Sequence, residues 1–166
     1  ATTPAVTIEE TYTYDLQNRL LKHEHKINNN APEILAENEY NEIGQLEKKR
    51  VGNNIQEIKY SYNIRGWMTG INLDANGNFQ TGKLFNYKVN YNDPLQGMAL
   101  PNADFTTPVT PQWNGNIAEV LWRNRDDTNV KRYGYVYDKL NRLLAGLYQS
   151  PLNLTSKEHS ERLTYD

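Results

Sequence analysis

The chain has 166 residues, 18 Lys and Arg against 20 Asp and Glu for a formal net charge of -2, no Cys, and 12 Tyr within a hydrophobic content of 37%. That length suits one domain. The interspersed charge argues against nucleic acid as a partner, the lack of Cys excludes a disulfide scaffold and thiolate metal or nucleophile chemistry, and no apolar run approaches the roughly 18 residues of a membrane-crossing helix.

In chain order, the first strand signal is the alternation of Tyr12 and Tyr14. It leads into Tyr14-Asp15-Leu16-Gln17-Asn18-Arg19-Leu20. The same pattern, Tyr-[Asp/Asn]-x-x-[Gly/Asn]-x-[Leu/Met], returns at Tyr40-Asn41-Glu42-Ile43-Gly44-Gln45-Leu46, Tyr62-Asn63-Ile64-Arg65-Gly66-Trp67-Met68 and Tyr137-Asp138-Lys139-Leu140-Asn141-Arg142-Leu143. Six of the 12 Tyr precede Asp or Asn directly, where 8 Asp and 22 Asn among 166 positions would place about two by chance. Asp or Asn at the second position accepts backbone N–H groups, and Gly or Asn at the fifth tolerates the left-handed backbone that closes a turn, so each copy predicts a hairpin turn. Gly44, Gly66, Asn18 and Asn141 are expected at positive φ. Ala31 to Asn38 is the one weak helical candidate.

Between the third and fourth copies, Trp67 to Leu73 and Phe79 to Tyr91 read as strands around Asp74-Ala75-Asn76-Gly77-Asn78, whose Asn-Gly is a strong hairpin signal. Phe85, Tyr87, Val89 and Tyr91 share one face. Four of the seven Pro fall near 92–112, which predicts a Pro-rich loop and rules out a central strand there. Strands resume over Ile117 to Arg123 and Val130 to Tyr137, separated by a turn at Asp126 to Asn129. The whole of 1–166 reads as a single stretch of hairpin repeats, an all-β fold built as a twisted antiparallel strip in which each hairpin covers its neighbour.

These motifs resemble the RHS, or YD-repeat, family, whose repeat is Tyr-Asp-x-x-Gly-Arg-Leu. The copies at Tyr14 and Tyr137 match best, with Asn18 and Asn141 standing for Gly, and Asn116 to Trp122 is similar to the interspersed strand of such proteins in Bacteroidota. The resemblance implies a segment of a much longer array, in which a β-strip spirals into a shell around a C-terminal toxin or builds a surface adhesion protein. It also implies an extracellular or cell-surface destination. Shells that release a toxin end in a self-cleaving Asp-Pro-x-Gly element; Asp93-Pro94-Leu95-Gln96-Gly97 displaces the Gly by one residue and is read as a Pro-containing turn.

Chemistry was sought in four places. His23 and His25 share a strand face but lie in a charged run, Lys22 to Lys26, and are read as solvated. Asp74 to Asn78 lacks the Gly and Glu positions of a calcium loop. Asp126 and Asp127 are adjacent acids in a turn, and no nucleophile elbow or phosphate-cradling loop is present. The expectation is therefore no catalytic residue, no metal and no cofactor, with Tyr14, Asp15, Asn18, Tyr40, Asn41, Gly44, Tyr62, Asn63, Gly66, Tyr137, Asp138 and Asn141 as the structural repeat motif. The leading function is a wall segment of a toxin carrier, secretion substrate or surface protein, with adjacent repeats, an enclosed C-terminal domain or secretion machinery as partners. The competing one is a glycan- or protein-binding adhesion module using exposed aromatics, Trp113 among them.

Overall fold

The computed structural model describes residues 5–95, 109–127, 129–150, 152 and 158–166. Among these residues the fold is all-β, with eleven strands that pair antiparallel. It divides into two compact units, Ala1–Tyr60 and Ser61–Asp166.

The first unit contains β1 (Ile8–Tyr14), β2 (Leu20–Ile27), β3 (Glu33–Tyr40), β4 (Leu46–Val51) and most of β5 (Gln56–Tyr62), each bonded to the next. Of the segment Ala31 to Asn38, expected as a weak helix, Glu33 to Asn38 lie in β3 instead. Pairing to β2 and β4 on both sides satisfies its backbone in a way that an isolated eight-residue helix could not match. Among the described residues of this unit none is buried. It is a single-layer sheet, so its stability comes from cross-strand pairs.

One face of that layer carries a charged ladder. Glu37 stands opposite Arg50 and Glu39 opposite Lys48, while Arg50 in turn faces Glu57. Arg50 Nη1 reaches Glu37 at 3.1 Å and Lys48 Nζ reaches Glu39 at 2.7 Å. The Lys48 ammonium, and after it the Arg50 guanidinium, holds the Glu39 carboxyl below the usual glutamate range. The opposite face carries Tyr12, stacked on His23 at 4.3 Å between ring centres.

The second unit contains β6 (Met68–Ile71), β7 (Phe85–Asn90), β8 (Glu119–Asn124), β9 (Lys131–Tyr137), β10 (Leu143–Gln149) and β11 (Glu161–Arg162), again paired in sequence order. Strict alternation separates its two faces. Tyr133 and Tyr135 lie half-buried on one, and Arg132, Gly134 and Val136 lie buried on the other. All the buried hydrophobic side chains belong to this unit: Val89, Ala118, Val120, Leu121, Val136, Ala145 and Leu147. Val109 packs over the buried face, since a Cβ added to Gly134 would stand 2.6 Å from its Cγ2. Pro101, Pro108 and most of the rest of the expected Pro-rich loop at 92–112 lie outside the described residues.

Candidate functional site

The recurring structure is the turn. In the first copy the Asp15 N–H donates to the Arg19 carbonyl at 3.0 Å, and the Asn18 N–H donates to the Asp15 carbonyl at 3.1 Å. The Asp15 Oδ1 accepts from the backbone N–H groups of Gln17 at 2.9 Å and Arg19 at 2.8 Å. Its Oδ2 receives the Arg19 Nε–H at 2.6 Å. One carboxylate thus holds two backbone N–H groups of the loop and the arginine that follows it.

The two backbone bonds recur in the other copies, and the second residue's side chain recurs with small changes. Asp138 accepts from Leu140 and Arg142 N–H at 2.8 Å each, and from Arg142 Nε at 2.7 Å. Asn63 accepts from Arg65 and Trp67 N–H, both at 3.0 Å. Asn41 accepts from the Gln45 N–H at 2.9 Å and returns its own amide N–H to Gln45 Oε1 at 3.0 Å. The fifth positions have φ of 60° at Asn18, 84° at Gly44, 80° at Gly66 and 62° at Asn141. The first and seventh residues close each loop as strand partners, Tyr14 with Leu20, Tyr40 with Leu46 and Tyr137 with Leu143, each beside a register shift.

A further copy has no Tyr. Asp74 Oδ1 accepts from Asn76 N–H at 2.8 Å and Asn78 N–H at 2.9 Å, Gly77 has φ 75°, and Leu73 pairs with Phe79 across the loop. The spacing from Asp74 to Gly77 equals that from Asp15 to Asn18, and this was the available signal; Leu73 in the tyrosine position concealed it. A reduced copy at Asn114–Ile117 has Gly115 at φ 98° and the Asn116 N–H on Asn114 Oδ1 at 3.0 Å.

Successive turns are tied by a tyrosine latch that periodicity alone does not reveal. The hydroxyl of Tyr40 donates to the carbonyl of Leu20 at 3.0 Å, Tyr91 to Met68 at 3.0 Å, Tyr137 to Ile117 at 2.9 Å and Tyr165 to Leu143 at 2.8 Å. Ile117 ends the reduced copy, and Leu20, Met68 and Leu143 are each the seventh residue of an earlier turn. The sixth residue of that turn lies against the same ring: Arg19 is 4.6 Å from the Tyr40 centroid, Trp67 5.1 Å from Tyr91, and Arg142 4.5 Å from Tyr165. The Arg of the repeat therefore has two tasks, pairing with its own Asp and covering the next Tyr. Desolvation raises the pKa of Tyr137 and Tyr91 above the ordinary tyrosine value.

Two further expectations concern this turn. Placing a β-branched side chain at φ 80° in Gly66→Val should cost about 1–2 kcal/mol, whereas Asn18→Gly should be close to neutral. Urea midpoints of both variants test this, and an equal loss in the two would contradict it. The backbone N–H groups of Arg19, Asn78 and Arg142 are the main cause holding Asp15, Asp74 and Asp138 below the ordinary aspartate range. A carboxyl depressed in the folded state contributes stability above its unfolded pKa of about 3.9, and that contribution is lost as pH falls through the folded value. Urea midpoints should hold from pH 7 to 5 and drop below about pH 4; in Asp15→Asn and Asp138→Asn, which reproduce the side chains at Asn41 and Asn63, the drop should shrink.

A second cluster lies on the buried face of the second unit. Glu119 and Arg132 form an ion pair between their Oε2 and Nε, with exposures of 0% and 3%. Glu119 Oε1 accepts from Asn90 Nδ2 at 2.7 Å and from the Leu95 N–H at 2.6 Å, and Arg132 Nη1 donates to Gln149 Oε1 at 3.0 Å. Every strand from β7 to β10 contributes one side chain. Nothing in the sequence flagged it, because Glu119 and Arg132 stand 13 residues apart inside ordinary-looking strands.

Among the described residues no group of three His, Asp or Glu is arranged to hold a metal ion. His23 and His25 face separate carboxylates instead, Glu10 at 3.5 Å and Glu33 at 3.2 Å. No helix among the described residues is long and apolar enough to cross a membrane.

No family model matches the chain, and no curated protein does. Among solved structures it is similar to a mutant Tc holotoxin pore of Photorhabdus luminescens, at 13% identity and a TM-score of 0.44, over 93% of this chain and 8% of that one.

Proposed function

We propose that this chain is a wall segment of an RHS-type β-repeat shell or exported surface protein, serving as part of a toxin carrier or secretion substrate and performing no chemistry of its own. The observation that supports this most is the repeated turn with its latch. The same atoms close the copies at Tyr14, Tyr40, Tyr62, Leu73 and Tyr137, and in four places a tyrosine hydroxyl fastens a turn to one before it. The recurring geometry serves the sheet: Asp15, Asp74 and Asp138 each accept backbone N–H groups of their own turn. Its partners on this reading are neighbouring repeats of the same longer chain, an enclosed C-terminal domain and the export machinery, and its location is extracellular or on the cell surface.

The test uses the intact gene product. Cryo-electron microscopy of the full-length protein should show a hollow β-walled particle or surface fibre, with an antibody to this segment binding unpermeabilised cells or their medium. A solid globular particle, with antigen found only after lysis, would overturn the proposal.

A further inference from the structure

Comparing the turns shows where one copy has changed its use of arginine. In the copies at Tyr14 and Tyr137 the arginine is the sixth residue and is neutralised by the Asp of its own turn, at 2.6 Å for Arg19 and 2.7 Å for Arg142. In the copy at Tyr62 the second residue is Asn63, the sixth is Trp67, and the arginine has moved to the fourth place as Arg65. Trp67 takes over the contact with the next tyrosine, Tyr91. Arg65 is left without a carboxylate partner among the described residues.

It is nonetheless held in place. Its Nη1 donates to the Trp113 carbonyl at 2.8 Å, and its guanidinium carbon lies 5.1 Å from the centre of the Trp67 ring. Both contacts are to neutral groups, so the charge is fixed but not cancelled. Beside it opens a cleft of about 220 Å³ lined by Arg65, Trp67, Asn92, Gln112 and Trp113 among others. Trp67 is fixed from behind: a Cβ on Gly115 would stand 3.2 Å from its Cζ2, leaving the ring against bare backbone. Trp113 is 65% exposed, a large cost for an indole that serves no packing purpose.

We infer that this cleft binds a carboxylated pyranose, the sugar unit of an acidic polysaccharide. Each group present has a match in that ligand. The exposed indole of Trp113 offers flat apolar surface to the C–H face of a sugar ring, Trp67 backs the guanidinium, and the side-chain amides of Asn92 and Gln112 offer paired donors and acceptors to adjacent hydroxyls. The Arg65 guanidinium is the one charged group among the described residues that line the cleft, and it presents a fixed fork to a carboxylate. A fixed cation, with no carboxylate among the described lining residues, favours an anionic sugar over a cationic or neutral one.

The probe is trigalacturonic acid titrated into the full chain, followed by calorimetry and tryptophan fluorescence. Saturable binding is expected, with the methyl-esterified trisaccharide at least roughly tenfold weaker because a charge-assisted contact is lost. Arg65→Gln and Trp113→Ala should each weaken binding by a similar factor with an unchanged thermal transition. Trp113→Ala keeps the backbone carbonyl that anchors Arg65 and removes only exposed surface, so it tests the cleft even if Arg65→Gln unfolds. Absence of saturable binding would overturn the inference, as would wild-type affinity in Trp113→Ala, or equal binding of a polyglutamate peptide, which would reduce the site to bare charge.

Discussion

Replacing Glu119 by Gln should cost about 3–5 kcal/mol, the loss expected when one member of a buried ion pair is removed and the other remains charged. Arg132, at 3% exposure, has no route to solvent from its place between Glu119 and Gln149. The substitution also removes the charged acceptor for the Leu95 N–H and the Asn90 amide. The measurement is urea unfolding followed by tryptophan fluorescence, because Trp67, Trp113 and Trp122 all lie in the unit from Ser61 to Asp166. The double variant Glu119→Gln with Arg132→Met should recover part of the loss, since no unpaired charge remains. A loss below about 1 kcal/mol in Glu119→Gln would show that water reaches Arg132 and that the network does not anchor the face.

Leu147→Ala should be nearly as damaging, at about 2–5 kcal/mol, the sum of lost transfer free energy and the cavity left behind. Leu147 is 1% exposed and packs with Val136, Ala145 and Leu144 at the centre of the covered face. The comparison is Val51→Ala in the first unit, where Val51 is only partly buried. There the removed methyls already touch water, so the loss should stay within about 1 kcal/mol. Amide hydrogen exchange on each variant separates the units, and equal losses at the two sites would contradict the single-layer description of the first.

How much of this was legible in the sequence depends on the range of the interaction. The turns were, because every bond in them lies within five residues: Asp15 to Arg19 and Asp138 to Arg142 are visible as spacing. Strand faces were too, where Tyr133, Tyr135 and Tyr137 alternate. The segment from Ala31 to Asn38 was not, because its pairing partners in β2 and β4 decide its conformation and its own residues carry little preference. The turn at Asp74 to Asn78 was legible from its Asn-Gly, but its kinship with the repeat was not, because Leu73 stands where the tyrosine would be. The latch and the Glu119–Arg132 network join residues that only the folded register brings together, such as Tyr137 with Ile117, and no local pattern announces them. Arg65 shows the reverse case: its displacement by two positions is plain in the sequence, but its meaning depends on seeing that no carboxylate came with it.

The direction of the latches bears on how such a chain can be built. Each tyrosine reaches backward, over 20, 23, 20 and 22 residues, to a carbonyl already in place. Each strand within a unit pairs with the strand just before it. Contacts of such short range need little loop closure, so folding does not wait for distant sequence. The strip can therefore grow from its N-terminal end, each hairpin setting on the one before it and being locked when the next tyrosine follows about two dozen residues later.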